Sequence, residues 1–123
     1  MICLDTNTLI RFFTNDIPEK SQKVKKLLAF EGKIFIPDVV FPEIEYILIK
    51  KYNQSRKEII QIFKFLSSNK NIILTRQIKS AIEIYNKTKL DMADCCICAC
   101  SLDGKLASFD EGLLKAPGIK SYW

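Results

Sequence analysis

Histidine is absent from these 123 residues, and that absence removes whole classes of chemistry. No Ser-His-Asp triad, no Cys-His dyad and no HExxH zinc site can be built. Cleavage of RNA by a pair of imidazoles is excluded too. Any polar catalysis must come from carboxylates, lysines, hydroxyls, thiols or a bound metal. Long hydrophobic runs are also missing. The longest, such as "IFIPDVVF", stop well short of the roughly 20 apolar residues that cross a bilayer. The opening "MICLDTNTLI" has no basic leader of the signal-peptide kind, so a cytoplasmic protein with no membrane partner is expected. A disulfide framework is lacking as well: the five cysteines are odd in number and two are adjacent, which suits free thiols in a reducing compartment.

What is present is the composition of a soluble globular protein, 48% hydrophobic and 27% charged. The length fits one domain with a single core, and no repeat, linker or low-complexity segment divides residues 1–123. The formal net charge of +5 permits an anionic partner such as nucleic acid, although a lysine-rich surface alone is equally consistent with simple solvation.

The chain reads as alternating strands and helices. "MICLD" is a buried strand ending in a polar turn. "IPEKSQKVKKLLAFEG" has Pro18 near a helix start and Gly32 at its stop. "KIFIP" is a second strand, and "FPEIEYILIKKY" a helix with Pro42 in its first turn. "SRKEIIQIFKFLSSN" opens with a capping box, Ser55 and Glu58, and spaces Ile59, Phe63 and Leu66 along one helical face. "NIIL" is a third strand, "RQIKSAIEIYNKT" and "DMADCCICACSLDG" are helices, and "LASF" and "GIKSYW" a fourth and fifth strand. This alternation predicts an α/β domain around a mainly parallel sheet.

The acids are informative by position. Asp5 follows the first strand and Asp110 the fourth, at the carboxyl edge where open parallel sheets bind ligands. If those strands are neighbours, the two acids share one site. Asp91 and Asp94, three apart, share a helix face. Asp91 is expected as an N-cap worth roughly 1 kcal/mol, whereas Asp94 heads a buried-looking run and needs a partner. Glu43 lies in a first turn that could reach the crevice, and Glu45, about 200° around the helix, is expected on the solvent side. Two carboxylates about 5 Å apart repel by roughly 3 kcal/mol at an effective dielectric near 20, so clustering Asp5, Glu43, Asp94 and Asp110 calls for a cation. All-oxygen ligands favour Mg²⁺ or Mn²⁺ over Zn²⁺.

In order and spacing, "LDTNTLIRFF", "PEIEYIL", "DMADCCICAC" and "LASFDEGL" resemble the PIN-domain family, and within it the small VapC-type toxins of toxin–antitoxin pairs. The resemblance runs from Ile2 to the last strand. It implies a three-layer α/β/α sandwich and a metal-dependent endoribonuclease, with Asp5, Glu43, Asp94 and Asp110 as catalytic and metal-binding acids for one or two ions. Asp91 matches an additional acid, Asn7 the polar residue of the opening motif, and Ser108 the hydroxyl before the last acid. RNA as substrate, a small antitoxin as partner and a homodimer are further implications. The departure is the cysteine cluster. Four thiolates on one continuous helix cannot converge on one zinc, so Cys95, Cys96, Cys98 and Cys100 are expected as packing.

Two other readings use the same residues. One is a housekeeping RNA-processing nuclease without an antitoxin, which the absence of a neighbouring antitoxin reading frame would favour. The other is a non-catalytic RNA-binding domain, against which the complete acid set argues. A carboxylate-metal phosphatase fits less well, because "LDTNT" offers one aspartate where an aspartyl-phosphate mechanism presents two.

Overall fold

Three hydrogen-bonded parallel strands organise the first part of the chain. The computed structural model describes residues 1–29 and 32–123, which divide into two compact units, Met1–Thr75 and Arg76–Trp123. In the first unit, β1 (Ile2–Cys3), β2 (Ile34–Phe35) and β3 (Ile72–Ile73) form one sheet in the order β1-β2-β3. Ile2, Ile34 and Ile72 stand in register, as do Cys3, Phe35 and Ile73. The ladder reaches past the strand ends through Leu4 N to Phe35 O at 3.0 Å and Ile36 N to Ile73 O at 3.4 Å. β-branched isoleucines suit this pleated surface, and Leu4, Ile36 and Leu74 bury the strand ends. The α/β class and the parallel sheet read from the alternation are both observed.

Four helices flank these strands in sequence: α1 (Thr6–Thr14), α2 (Pro18–Leu28), α3 (Val40–Tyr52) and α4 (Arg56–Ser68). α1 packs on α2 and α3, and α3 on α4. α2 begins at Pro18, as expected, but ends at Leu28 with Ala29 as its cap. The stop read at Gly32 therefore lies too far along, and Phe30 and Glu31 of that span lie outside the described residues. α1 and α3 end at Asn15 (φ 51°) and Asn53 (φ 54°), where asparagine tolerates the left-handed conformation. The capping box of α4 is present, with Ser55 Oγ accepting from Glu58 N and Glu58 Oε1 from Ser55 N, both at 3.3 Å. Phe63 is fully buried against Phe41, and Phe65 is half exposed beside Phe12 and Phe13.

The second unit contains α5 (Arg76–Lys87), α6 (Met92–Ser101) and the short α7 (Glu111–Leu114). α5 packs on α6, and its buried Ile78, Ala81, Ile82 and Tyr85 form one helical stripe. Cys98, Leu113 and Ala116 make a small core with Leu106 and Ile119 packed against it.

Three expectations need correction. "LASF" and "GIKSYW" are not strands; Leu106 and Ser121 make one isolated parallel bridge. The ladder stops because Ser108 Oγ accepts from Asp110 N at 2.9 Å and turns the chain into α7. Second, Glu45 is buried rather than solvent-facing, at 8% exposure. Position 45 falls inside the stripe made by Phe41, Ile44 and Leu48. Third, α1 and α7 lie in stretches to which the sequence assigned no element. "TNTLIRFFT" is rich in β-branched and aromatic residues of modest helix propensity, and burial of Leu9 and Ile10 with a strong cap outweighs it. No helix among the described residues is long and apolar enough to cross a membrane.

Candidate functional site

In the first unit, the site begins where β1 ends. Asp5 leaves the sheet in extended backbone and caps α1: its Oδ1 accepts from Thr8 N at 2.9 Å and from Thr8 Oγ1 at 2.6 Å. Both bonds use one oxygen, which leaves Oδ2 for other work. The Thr8 hydroxyl, then the Thr8 amide, hold the Asp5 carboxyl below its ordinary pKa despite a small opposing effect of burial. Glu43, exposed in the first turn of α3, accepts a hydrogen bond on Oε1 from the Thr6 hydroxyl. Thr6 thus ties the α3 acid to the first turn of α1. Asn7 lines a cleft with Asp5, between the start of α1 and one face of α2. At the same sheet edge Asp38, which the sequence reading passed over, accepts from Thr75 Oγ1 at 2.6 Å.

In the second unit, Asp91 is the N-cap of α6, with Oδ1 accepting from Asp94 N at 2.8 Å. The capping role expected of it is therefore observed. Asp94 is half-buried in the first turn. Its charge reaches Cys98 one turn on, whose thiol is pushed up first by burial and then by Asp94. Asp110 caps α7, accepting from Leu113 N at 3.1 Å, while its own amide donates to Ser108 Oγ. Because Leu113 packs on Cys98, Asp94 and Asp110 are linked through one small core. Phe109, just before Asp110, is 88% exposed and stacks on Trp123 at 5.0 Å.

The sequence-chosen residues therefore fall into an Asp5, Asn7 and Glu43 group in the first unit and an Asp91, Asp94, Ser108 and Asp110 group in the second. Thr6 and Thr8 were missed: Asp5 before an apolar run is an N-cap signal, but nothing in the sequence singles out the two threonines. Asp5, Asp91 and Asp110 are all N-caps, so each carboxylate is oriented by backbone donors at little entropic cost. The donor set is all-oxygen, the kind that suits Mg²⁺ or Mn²⁺. Within neither unit, among the described residues, do three or more His, Cys, Asp or Glu form a group able to hold a metal ion. The fit is thus one of donor chemistry.

Cys95 and Cys98 behave as apolar packing, Cys96 is half-buried, and Cys100, expected as packing, is exposed on the surface. None of the five is in a disulfide, Cys95 and Cys98 are fully buried, and the raised Cys98 pKa keeps it a thiol. Cys98→Ser places a hydroxyl in that core and is expected to cost about 1–3 kcal/mol. Cys100→Ser, on the surface, should stay within about 0.5 kcal/mol. Urea unfolding of the two variants checks this; equal midpoints would remove Cys98 from the core argument.

Thr8→Val tests the Asp5 arrangement. Loss of the hydroxyl bond at this exposed site is expected to cost about 0.5–1 kcal/mol near neutral pH and to raise the Asp5 pKa toward its ordinary value. A depressed carboxyl stabilises the fold above its unfolded pKa, and that contribution is lost as pH falls through the folded pKa. The gap between wild type and Thr8→Val should therefore close on acidification. NMR titration of Asp5 with urea unfolding at both pH extremes reads this, and an unshifted Asp5 would contradict it.

The pattern of the PIN domain matches residues 2–119, which covers the acids of both units. The chain belongs to the PIN-domain family, with its α/β sandwich class. It is also similar to a VapC ribonuclease of Aquifex aeolicus (strain VF5), 29% identical over 101 residues, covering 77% of this chain and 74% of that protein.

Proposed function

We propose that this chain is a metal-dependent endoribonuclease, one nuclease domain over residues 1–123, acting as the toxin of a toxin–antitoxin pair. The observation that carries the reading is the capped, ionised Asp5 at the end of β1, tied through the first turn of α1 to Glu43, in a member of the PIN family similar to a VapC ribonuclease. Asp5, Glu43, Asp94 and Asp110 would hold one or two Mg²⁺ ions, with Mn²⁺ as substitute. Such an ion would lower the pKa of water enough to give a nucleophilic hydroxide at neutral pH and would offset charge on the phosphate.

The chain's own residues do the rest. Thr8 fixes the direction of the Asp5 carboxylate and holds its pKa below the ordinary value, and Thr6 limits the rotamers of Glu43. Asp91 sets the first turn of α6 and with it the direction of Asp94. Ser108 and Asn7 orient neighbouring polar groups. The net positive charge of +5 draws in the RNA backbone, which makes binding salt-sensitive. Products carry 5′-phosphate and 3′-hydroxyl ends. The partner is a small antitoxin protein, the assembly a homodimer, and the setting the cytoplasm.

The test is cleavage of a mixed RNA pool by purified protein with Mg²⁺, Mn²⁺ or EDTA. Cutting with either metal and none in EDTA is expected. Cutting that persists in EDTA would sink the metal reading, and no cutting by folded protein with either ion would sink the nuclease reading.

A further inference from the structure

The cleft beside Asp5 has a charge balance opposite to that of a metal site. It encloses about 310 Å³, at the small end of ligand pockets, roughly 300–1,000 Å³. One acid, Asp5, stands against three cations, Arg11, Lys20 and Lys23. Arg11 is bound to Asp16 at 2.8 Å through Nη1, yet its Nε is buried with no hydrogen-bond partner. Lys20 and Lys23 are exposed and have no carboxylate partner among the described residues.

α2 presents these groups as a graded strip. Lys20, Lys23, Val24 and Leu27 stand at i, i+3, i+4 and i+7, so they share one face. The strip is cationic toward the helix start and apolar toward its end. Lys25 and Lys26 point away from it. Across the cleft, α1 contributes the polar side chains of Asn7 and Thr8. Along the α2 strip, away from Asp5, the two ammonium groups call for an anion, and a purely apolar ligand would strand them. A nucleotide has the matching parts: an anionic phosphate, a hydroxylated ribose and a base with an apolar face.

We propose that the α1–α2 cleft is a nucleotide subsite for single-stranded RNA, with Lys20 and Lys23 on a backbone phosphate and Val24 and Leu27 under the sugar or base. The inference rests on the ribonuclease reading and adds to it where the strand lies: the nucleotide in the cleft is next to the one presented to Asp5. The lysines bind and position the strand, and touch no reacting atom.

The experiment is anisotropy of a short fluorescein-labelled single-stranded RNA in EDTA across a NaCl series. Wild type is compared with Lys20→Ala/Lys23→Ala and with Lys25→Ala/Lys26→Ala, which removes the same charge from another face of the same helix. The first pair is expected to weaken binding about tenfold and to make the log–log salt slope shallower by about 0.7, the value for one phosphate contact on a single strand. The second pair should stay close to wild type. Equal loss in both pairs, or loss in neither, overturns the subsite, the first by showing only diffuse charge and the second by leaving the cleft to another ligand such as an acidic peptide. Cleavage of the same RNA by wild type in Mg²⁺ is scored separately. Binding without cutting strikes the nuclease reading while leaving the cleft test readable, and neither binding nor cutting overturns both.

Discussion

Asp94→Asn is expected to lower RNA cleavage about a thousandfold or more while moving the unfolding midpoint little. Asparagine keeps the size and shape of the side chain and removes its charge. The first turn of α6 is held by the Asp94 amide, which donates to Asp91 Oδ1 at 2.8 Å, and that bond survives the change. What disappears is an anionic oxygen donor. Lewis-acid stabilisation by a metal is worth several kcal/mol, and each 1.4 kcal/mol or so is tenfold in rate. A loss of about 4 kcal/mol therefore gives the thousandfold figure. Asp5→Asn should behave alike for a related reason. Asp5 caps α1 through Oδ1, and asparagine caps about as well as aspartate, so the fold keeps its cap and the site loses its charge. Alanine at the same position confounds the two by adding about 1 kcal/mol of capping loss. Asp91→Asn is the internal control: if its work is mainly capping, cleavage falls far less. Initial rates in saturating Mg²⁺, beside circular dichroism of each variant, decide it. A folded Asp94→Asn that cuts at the wild-type rate would remove Asp94 from the site.

The acids were legible in the sequence because each stands at a junction that leaves a trace. Asp5 ends a short apolar run, Asp91 and Asp94 open a helix, and Asp110 follows another apolar run. Those traces report position along the chain, and the structure adds what each side chain is bonded to. Three of the four aspartates proved to be N-caps, a role the reading had assigned to Asp91 alone. The reason is that α1 and α7 were themselves hidden. α1 is written in threonine and phenylalanine, which score poorly as helix formers, and α7 is a single turn. Glu45 was misplaced by comparing it only with Glu43; set against Phe41, Ile44 and Leu48, its position falls in the buried stripe. The two last strands failed for a local reason, because Ser108 and Asp110 divert the backbone hydrogen bonds that a strand would need. The cleft cations were invisible as a group, since Arg11 lies on one helix and Lys20 and Lys23 on the next.

Phe63→Ala is expected to give the largest loss of stability, about 3–5 kcal/mol. The spacing of Ile59, Phe63 and Leu66 places Phe63 on the apolar face of this helix. Phe63 is 0% exposed and its ring meets Phe41 at 5.3 Å and 58°, on the face of α4 that also buries Ile59 and Leu66. Truncation removes a ring from a site walled by α3 and α4, and the rest of the core can collapse only in part. Against a typical total of about 5–15 kcal/mol, this is about a fifth or more of the margin, and a fall in Tm of about 15 °C follows for a domain of this size. Phe65→Ala supplies the contrast. Phe65 is 42% exposed and contacts Phe12 at 6.1 Å and Phe13 at 6.0 Å, contacts worth about 0.5–1.5 kcal/mol beyond area. Calorimetry of the two variants should separate them by about 1.5 kcal/mol or more, roughly the gap between those ranges. If Phe65→Ala instead proves as costly as Phe63→Ala, and its effect grows with protein concentration, then Phe65 lies in a contact between two copies of the chain, because only an association equilibrium makes stability depend on concentration.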